Sequence, residues 1–242
     1  MSSDAVVMRI MTLRGSVAHH LLPGAVLTLV FIATAPRLHA AGLPATLGLL
    51  AAVPLLLVPY VLASTHAVRR TEDISPAARW VEVVGLGRPS WSTALRVLLP
   101  ALGASLLLPG LAVPLEGWLR GLADRVLPAW WHTGLDPAGQ PDATRGWVLL
   151  GWVGCGVIVG PIAEELWFRG VLQPRTPGGP LVGSLLFAAY HLWQPYAWPT
   201  IALTTIPMAW ARARAGAWAA IVIHVLVNAF SALLLVADVV RR

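Results

Sequence analysis

The 242-residue chain is 57% hydrophobic and only 12% charged, with a mean hydropathy of +0.72. Soluble globular domains carry roughly a quarter charged residues, so this composition excludes that class and predicts a polytopic membrane protein. The chain has a net charge of +6, and all its basic side chains other than histidine are arginines, with no basic stripe, which argues against a nucleic-acid partner. The single cysteine, Cys155, excludes an internal disulfide.

Apolar runs of about 20 residues, the length that crosses a bilayer as a helix, recur along the chain. They predict an all-α fold, a transmembrane helix bundle of about seven to eight spans, with N-terminal spans in 1–146 and a catalytic core in 147–237. The fifth and sixth runs are short and form either a tight hairpin or a tilted pair. The runs lie at 19–36, 43–64, 93–113, 147–172, 180–194, 197–213 and 216–237.

Arginines near the span ends predict the orientation, because positive side chains are retained in the cytoplasm. With the N-terminus inside, six arginines face the opposite side and ten face the cytoplasm. The first run could instead be a signal peptide ending near Ala40, but six spans follow it, which favours an uncleaved first span. An arginine-only, alanine- and leucine-rich chain is typical of a GC-rich bacterial genome, so we expect a bacterial plasma membrane. The ten are Arg9, Arg14, Arg69, Arg70, Arg79, Arg88, Arg96, Arg175, Arg212 and Arg214.

The loop before the fourth run contains an amphipathic pattern. Apolar residues recur at helical spacing over 115–126, with charged residues on the other faces and Trp130 and Trp131 following. This pattern predicts a helix lying in the membrane interface, anchored by indoles at headgroup level. An ordinary surface helix packed on the bundle would explain the pattern equally well.

Few ionisable groups fall inside the spans. Among the eleven acidic residues only Glu164 and Glu165 lie in the interior of a span, and among the seven histidines only His191 and His224, since the others lie in loops or at span ends. An ionisable group at membrane depth costs several kcal/mol unless it is paired or hydrated, so we interpret these as functional. The glycines and flanking prolines of 176–179 predict a helix reversal there. Counted from helix ends on one side, Glu164, His191 and His224 lie about 12, 16 and 13 Å deep, in one layer nearer the cytoplasmic face.

Local spacing divides these groups into pairs. Glu165 and Arg169 stand at i and i+4 with the acid first, which predicts an ion pair on one helix face. Glu164 is turned about 100° away and is therefore the freer carboxylate. His224 and Asn228 repeat the i, i+4 spacing, so both polar groups point the same way.

This set of side chains suits two kinds of water activation. A free glutamate beside a neutral histidine can hold and deprotonate a water, while a second histidine with an asparagine amide offers donors to an oxyanion. The alternative is a divalent metal, such as zinc, bound by Glu164, His191 and His224 with one position open. The HExxH pattern of soluble zinc proteases is absent.

Three motifs in order resemble those of the CPBP intramembrane proteases, a group that contains the CAAX prenyl endopeptidases of Ras-converting type and the bacterial Abi proteins linked to bacteriocin processing and self-immunity. The resemblance covers about residues 147–230. The motifs are Glu164-Glu165-x-x-x-Arg169, Phe187-x-x-x-His191 and His224-x-x-x-Asn228.

The resemblance implies a core of four helices that encloses a conical intramembrane cavity. It further implies that Glu164 and His191 activate water, that His224 and Asn228 stabilise the oxyanion, and that Glu165 with Arg169 is structural or supporting. The implied activity is hydrolysis of a peptide bond in a peptide or protein substrate at the membrane. Because nothing in the chain indicates that the host makes prenylated peptides, prenyl specificity is not implied.

Two other classes of function would also place acids and histidines inside spans. A non-catalytic family member, acting as a membrane scaffold or a bacteriocin-immunity protein, would keep the fold without needing activated water. A proton-coupled transporter would use the same ionisable groups, although such carriers usually have inverted repeats, and no repeat is visible in the sequence.

Overall fold

The computed structural model describes residues 9–72, 80–86, 91–131 and 142–241, and within these ranges the chain forms helices and the turns between them. This confirms the all-α prediction. The helix Trp91–Leu107 continues in a 3-10 turn at Leu108–Leu111. The helices are α1 (Leu13–Ala40), α2 (Leu47–Thr71), α3 (Trp80–Val83), α4 (Trp91–Leu107), α5 (Val113–Val126), α6 (142–175), α7 (Gly179–Tyr190), α8 (Trp198–Ala215) and α9 (Ala217–Arg241).

Five helices among the described residues are long and apolar enough to cross a membrane, which fits a polytopic bundle. The two short predicted runs form α7, with 12 residues, and α8, with 18 residues, joined through a 3-10 turn at Pro195–Ala197. At 1.5 Å per residue α7 is about 18 Å long, too short to cross the hydrocarbon layer. The five long helices are Leu13–Ala40, Leu47–Thr71, Ser92–Leu111, Thr144–Arg175 and Ala217–Ala237.

Glycines make the chain reversals between the core helices. The turn between α6 and α7 places Gly178 and Gly179 at φ 83° and 58°, and Gly216 between α8 and α9 has φ 93°. Side chains with a Cβ rarely adopt this region, so glycine is required there. The reversal that the sequence predicts at 176–179 is confirmed.

One end of the bundle, which we call the arginine end, joins the start of α1 to the ends of α2 and α6. The Met11 N–H donates to the Arg175 carbonyl at 2.8 Å, and the Arg175 guanidinium makes two hydrogen bonds to Glu72, at 2.8 and 2.6 Å. Gln173 donates to the carbonyl of Ala209, which draws the end of α8 to the same place. Of the ten arginines assigned to this side, Arg79 and Arg88 lie outside the described residues.

The opposite end, which we call the tryptophan end, gathers the turn between α7 and α8 with α5 and the residues after it. The Trp131 indole donates to the Trp193 carbonyl at 2.9 Å, and Thr200 donates to Glu116 of α5. The Arg120 guanidinium lies 4.4 Å from the ring centre of Tyr196. The polar side of α5 therefore packs on the turn that follows α7.

The outer side of α5 is apolar and open. Trp118 is 62% exposed and Val126 is 81% exposed, and Leu115 is exposed as well. Helix α5 begins at Val113, directly after the spanning segment Ser92–Leu111 ends, so it starts where that span leaves the hydrocarbon. This placement suits the interfacial helix expected from the sequence.

An aromatic cluster fills the centre of the core between α1, α6 and α7. Phe168 packs edge-to-face on Phe187 and at a tilt on Tyr190, with ring centres 4.9 and 4.8 Å apart, and Phe31 and Trp167 are likewise fully buried. Such aromatic pairs add stabilisation beyond the area they bury. The cluster fixes the rotation of α6 relative to α7, and this rotation decides where the polar groups of both helices point.

Gly24 on α1 lies directly against the main chain at the end of α7. A Cβ added there would overlap the Tyr190 carbonyl oxygen and would lie 2.9 Å from its carbonyl carbon. Only a residue without a side chain allows α1 to approach this closely, because backbone atoms cannot move aside as a flexible side chain can.

We expect Gly24→Ala to destabilise the protein, because the added methyl group forces α1 away from Tyr190. Overpacking of this kind costs about 1–3 kcal/mol. Thermal unfolding of the purified protein in detergent micelles measures the effect as a lower midpoint. Gly103→Ala is the control, since a Cβ at Gly103 in α4 meets nothing within 4 Å. Equal midpoints for the two variants would contradict the packing role of Gly24.

Candidate active site

Helix α6 changes its winding on both sides of Glu164. A π-helical stretch at Trp152–Val159 is followed by one α-helical turn at Gly160–Glu164 and a second π-helical stretch at Glu165–Leu172. Pro161 has no N–H and cannot donate to a preceding carbonyl, which favours a local departure from the α-helix. π-Helical turns occur often at functional sites, because they redirect side chains without ending the helix.

Glu165 lies fully buried behind the site and contacts two other groups. Its Oε2 lies 3.5 Å from Nε of Arg169, and its Oε1 lies 2.9 Å from Nδ1 of His224. The Glu165–Arg169 contact expected from their spacing is therefore present, but Glu165 also binds a histidine from α9. Arg169 is completely buried and its Cζ lies 4.7 Å from the ring centre of Phe187.

Glu164 lies on the other side of α6, where its side chain is 13% exposed. Its Oε1 accepts a hydrogen bond from the Tyr190 hydroxyl at 3.2 Å, and its Oε2 lies 4.0 Å from Nε2 of His224. His224 thus stands between the two glutamates. Because the Glu165 carboxylate can only accept, the His224 Nδ1 carries the proton of their hydrogen bond and Nε2 is directed to Glu164.

His191 directly follows the last residue of α7. Its Nδ1 lies 3.0 Å from the Phe187 carbonyl oxygen, which can only accept, so Nδ1 carries the proton and Nε2 is the acceptor of the neutral ring. Within the part of the chain that the structure describes, Glu164 and His191 are not hydrogen-bonded to each other. They share one cavity, and Tyr190 makes the direct contact with Glu164.

Asn228 lies one helical turn after His224 on α9. Its amide nitrogen donates to the Gly156 carbonyl at 2.9 Å, in the first π-helical stretch of α6. That bond uses one of the two amide N–H groups and leaves the second available for a ligand. The contact also joins α9 to α6 on the tryptophan-end side of Glu164.

The polar groups converge on a cavity of about 390 Å³, within the size range of small-ligand sites. Apolar side chains from α1, α2 and α6 form much of the remaining wall, and α8 contributes Thr200, Ile201, Thr204 and Thr205. Of the six residues that the sequence analysis selects, four line this cavity, and Glu165 and Arg169 are packed behind it. The polar side chains around the cavity include Glu164, Tyr190, His191, Thr200, His224 and Asn228.

Tyr190 is not among the residues selected from the sequence. Charged residues and histidines are conspicuous inside an apolar span, whereas a tyrosine there looks like an ordinary aromatic residue. One signal was available, because the chain has only three tyrosines and this one precedes His191 inside an apolar run. A buried tyrosine hydroxyl usually has a hydrogen-bond partner, and here the partner is the free glutamate.

The described residues contain no group of three or more His, Cys, Asp or Glu side chains arranged to hold a metal ion. Glu164 and His224 approach each other to 4.0 Å, whereas His191 shares only the cavity with them. In this arrangement Glu164, His191 and His224 do not fit a shared metal. The metal site stays a prediction from the sequence.

Comparison with known families agrees with the three motifs. Residues 146–230 match the family model described as type II CAAX prenyl endopeptidase Rce1-like, a match that supports a CPBP family intramembrane protease. This range contains Glu164, Tyr190, His191, His224 and Asn228. No curated protein and no solved structure matches the chain significantly.

We expect Glu165→Gln to destabilise the protein far more than Glu164→Gln, although the two residues are neighbours. Losing the Glu165 carboxylate leaves the buried Arg169 without its anion, which costs about 3–5 kcal/mol. Gln at position 164 can still accept the Tyr190 hydrogen bond, so its effect should stay within about 1 kcal/mol. Thermal unfolding in micelles tests this pair of variants. Similar midpoints for both would contradict the division of roles between the glutamates.

Proposed function

We propose that this chain, whose residues 146–230 belong to the Rce1-like group of CPBP family intramembrane proteases, hydrolyses a peptide bond of a membrane-associated substrate. The observation that carries the proposal is the division of the two glutamates. Both carboxylate oxygens of Glu165 contact a partner, Arg169 or His224. Glu164 instead lines the cavity, and no arginine is among the described residues that line it. A carboxylate in that position is suited to accept a proton from water.

In this mechanism Glu164 is the general base. Tyr190 holds one carboxylate oxygen, which orients the group and leaves the second oxygen for the proton of the attacking water. His191 supplies its unprotonated Nε2 as a second acceptor that positions the same water. The water oxygen adds to the substrate carbonyl carbon while its proton passes to Glu164.

His224 and Asn228 are the proposed donors to the oxyanion. Donation from Nε2 of His224, while Nδ1 donates to Glu165, requires a doubly protonated ring. With that ring, Glu164, Glu165, Arg169 and His224 together carry no net charge, as burial in an apolar bundle demands. Proton transfer from water moves one negative charge from Glu164 to the oxyanion, and both positions face His224.

Collapse of the tetrahedral intermediate completes the reaction. The carbon–nitrogen bond breaks and Glu164 returns its proton to the leaving amine, so the enzyme ends as it began. The proposed substrate is a peptide or protein at the membrane, and the apolar walls from α1 and α2 offer space for its hydrophobic side chains. The proposal does not include a prenyl group on the substrate.

We expect Glu164→Gln to lower proteolysis by about two to four orders of magnitude while the protein remains folded, because the glutamine amide cannot take the proton. Membrane proteomes of cells with wild-type and variant protein are compared for a peptide product that disappears. Asp124→Asn, an exposed acid on α5, is the matched control and should keep the product. Full product formation by Glu164→Gln would contradict the mechanism, and loss of a proton flux instead would favour a carrier.

Metal removal gives a second test of the proposed water activation. We expect dialysis against a strong chelator to leave peptide hydrolysis unchanged, because the described residues do not form a three-ligand shell. Elemental analysis of the purified protein accompanies the activity measurement. Activity that is lost with the chelator and restored by zinc would support the metal alternative and contradict the metal-free mechanism.

A further inference from the structure

Helix α8 brings hydroxyl groups to the wall of the cavity. Thr200 and Thr204 stand at i and i+4, so they share one face of the helix, and both line the cavity. Both side chains are partly accessible, whereas Thr205, which also belongs to the lining, is only 2% exposed. The cavity wall therefore carries two accessible threonines about 6 Å apart along the axis of α8.

Two contacts between α7 and α8 place these threonines beside the catalytic groups. The Trp198 indole donates to the His191 carbonyl at 3.1 Å, and the Ser184 hydroxyl donates to the Thr205 carbonyl at 3.3 Å. The two accessible threonines lie between these contacts, on the stretch of α8 that runs beside Ser184–His191. They therefore line the same part of the cavity as His191.

Each of the two hydroxyl groups already has an acceptor for its own proton. Thr204 donates to the Thr200 carbonyl at 2.9 Å, and Thr200 donates to the Glu116 carboxylate of α5. A hydroxyl oxygen that donates its proton keeps two lone pairs, so it still accepts hydrogen bonds. Toward the cavity both threonines are therefore acceptors, and the partner that suits them is an N–H group.

An extended peptide supplies N–H groups at the spacing of these acceptors. Its residues rise about 3.3 Å each and its N–H groups on one edge recur every second residue, about 6.6 Å apart. The N–H of a trans amide also points away from the carbonyl oxygen of that amide. A peptide whose carbonyl oxygen is held by His224 and Asn228 on α9 thus needs acceptors for its N–H groups on another wall.

We propose that Thr200 and Thr204 form a subsite that binds two main-chain N–H groups of an extended peptide segment. The identity of this ligand rests on the proposed peptidase function. The main-chain N–H groups inside a helix are already hydrogen-bonded, so the subsite selects an unwound segment and not an intact transmembrane helix. Because it binds the main chain, it holds the substrate beside Glu164 without recognising particular side chains.

Peptide binding by the Glu164→Gln protein tests the subsite without catalysis. One probe is a dansyl-labelled hexaleucine, and the second is the same peptide with ester oxygens in place of its internal amide N–H groups, which removes the donors and keeps the side chains. Trp152 and Trp193 line the cavity, so energy transfer from tryptophan to the dansyl group reports binding in micelles. Competition by unlabelled hexaleucine isolates the specific signal.

We expect the amide probe to bind about tenfold more tightly than the ester probe, the order of magnitude for two neutral hydrogen bonds. Replacing both threonines by valine keeps their shape and removes the acceptors, so the preference should fall to about twofold or less. Thr200→Val or Thr204→Val alone should leave about threefold, and serine at both positions should keep the full preference.

Thr28→Val is the matched control. The Thr28 hydroxyl donates to the Gly24 carbonyl of its own helix at 2.7 Å, as Thr204 does within α8, but Thr28 is not among the residues that line the cavity. This variant should keep the full preference for the amide probe. Thermal unfolding midpoints of all variants verify that they are folded.

Three outcomes would overturn the subsite: a full preference for the amide probe in the double valine variant, equal binding of both probes to the protein with both threonines, or no competed binding at all. The proposed function is judged separately by the membrane proteome comparison. Threonine-dependent binding with no lost peptide product would keep the subsite and contradict the peptidase. A lost product with threonine-independent binding would do the reverse.

Discussion

The buried carboxylate of Glu165 determines the rest of the site. It is fully enclosed, and its two oxygens face Arg169 on the same helix and His224 from α9. Removing one partner from such a cluster leaves an unpaired charge in an apolar bundle. This destabilises a protein much more than replacing the whole cluster with apolar residues would. The contact therefore fixes the rotation of α9 about its axis relative to α6. In this orientation Nε2 of His224 points toward Glu164. A charge that takes no part in the proposed chemistry thus positions the groups that do.

The helix winding makes this arrangement possible. In a regular α-helix two adjacent side chains differ in direction by about 100°, so Glu164 and Glu165 point to different sides. This angle alone does not determine which of the two lines the cavity. The π-helical stretches on both sides of Gly160–Glu164 alter that direction locally, and the aromatic cluster around Phe168 holds the result in place. Packing and winding together turn one glutamate inward and leave the other accessible.

Much of the site was predictable from the sequence, because ionisable residues are so rare in spans that position alone identifies them. The i, i+4 spacing correctly predicted the contact between Glu165 and Arg169. The glycines before α7 correctly predicted the reversal of the chain. The sequence could not predict that His224 contacts both glutamates or that Tyr190 contacts Glu164, because these contacts depend on the relative rotation of separate helices. Which residues line the cavity likewise depends on which half of each helix is packed, and apolar residues of both halves look alike in a sequence.

The short helix α7 leaves main-chain carbonyl groups without helical partners inside the bundle, which a helix spanning the whole bilayer would not do. It ends at Tyr190, about 18 Å from its start, so the carbonyl groups of its last turn and the following turn lie at a depth where water is scarce. The indole of Trp198 donates to the His191 carbonyl and that of Trp131 to the Trp193 carbonyl. These two tryptophans replace solvent for the main chain, and they allow the bundle to place an irregular turn, with a reactive histidine on it, inside a membrane.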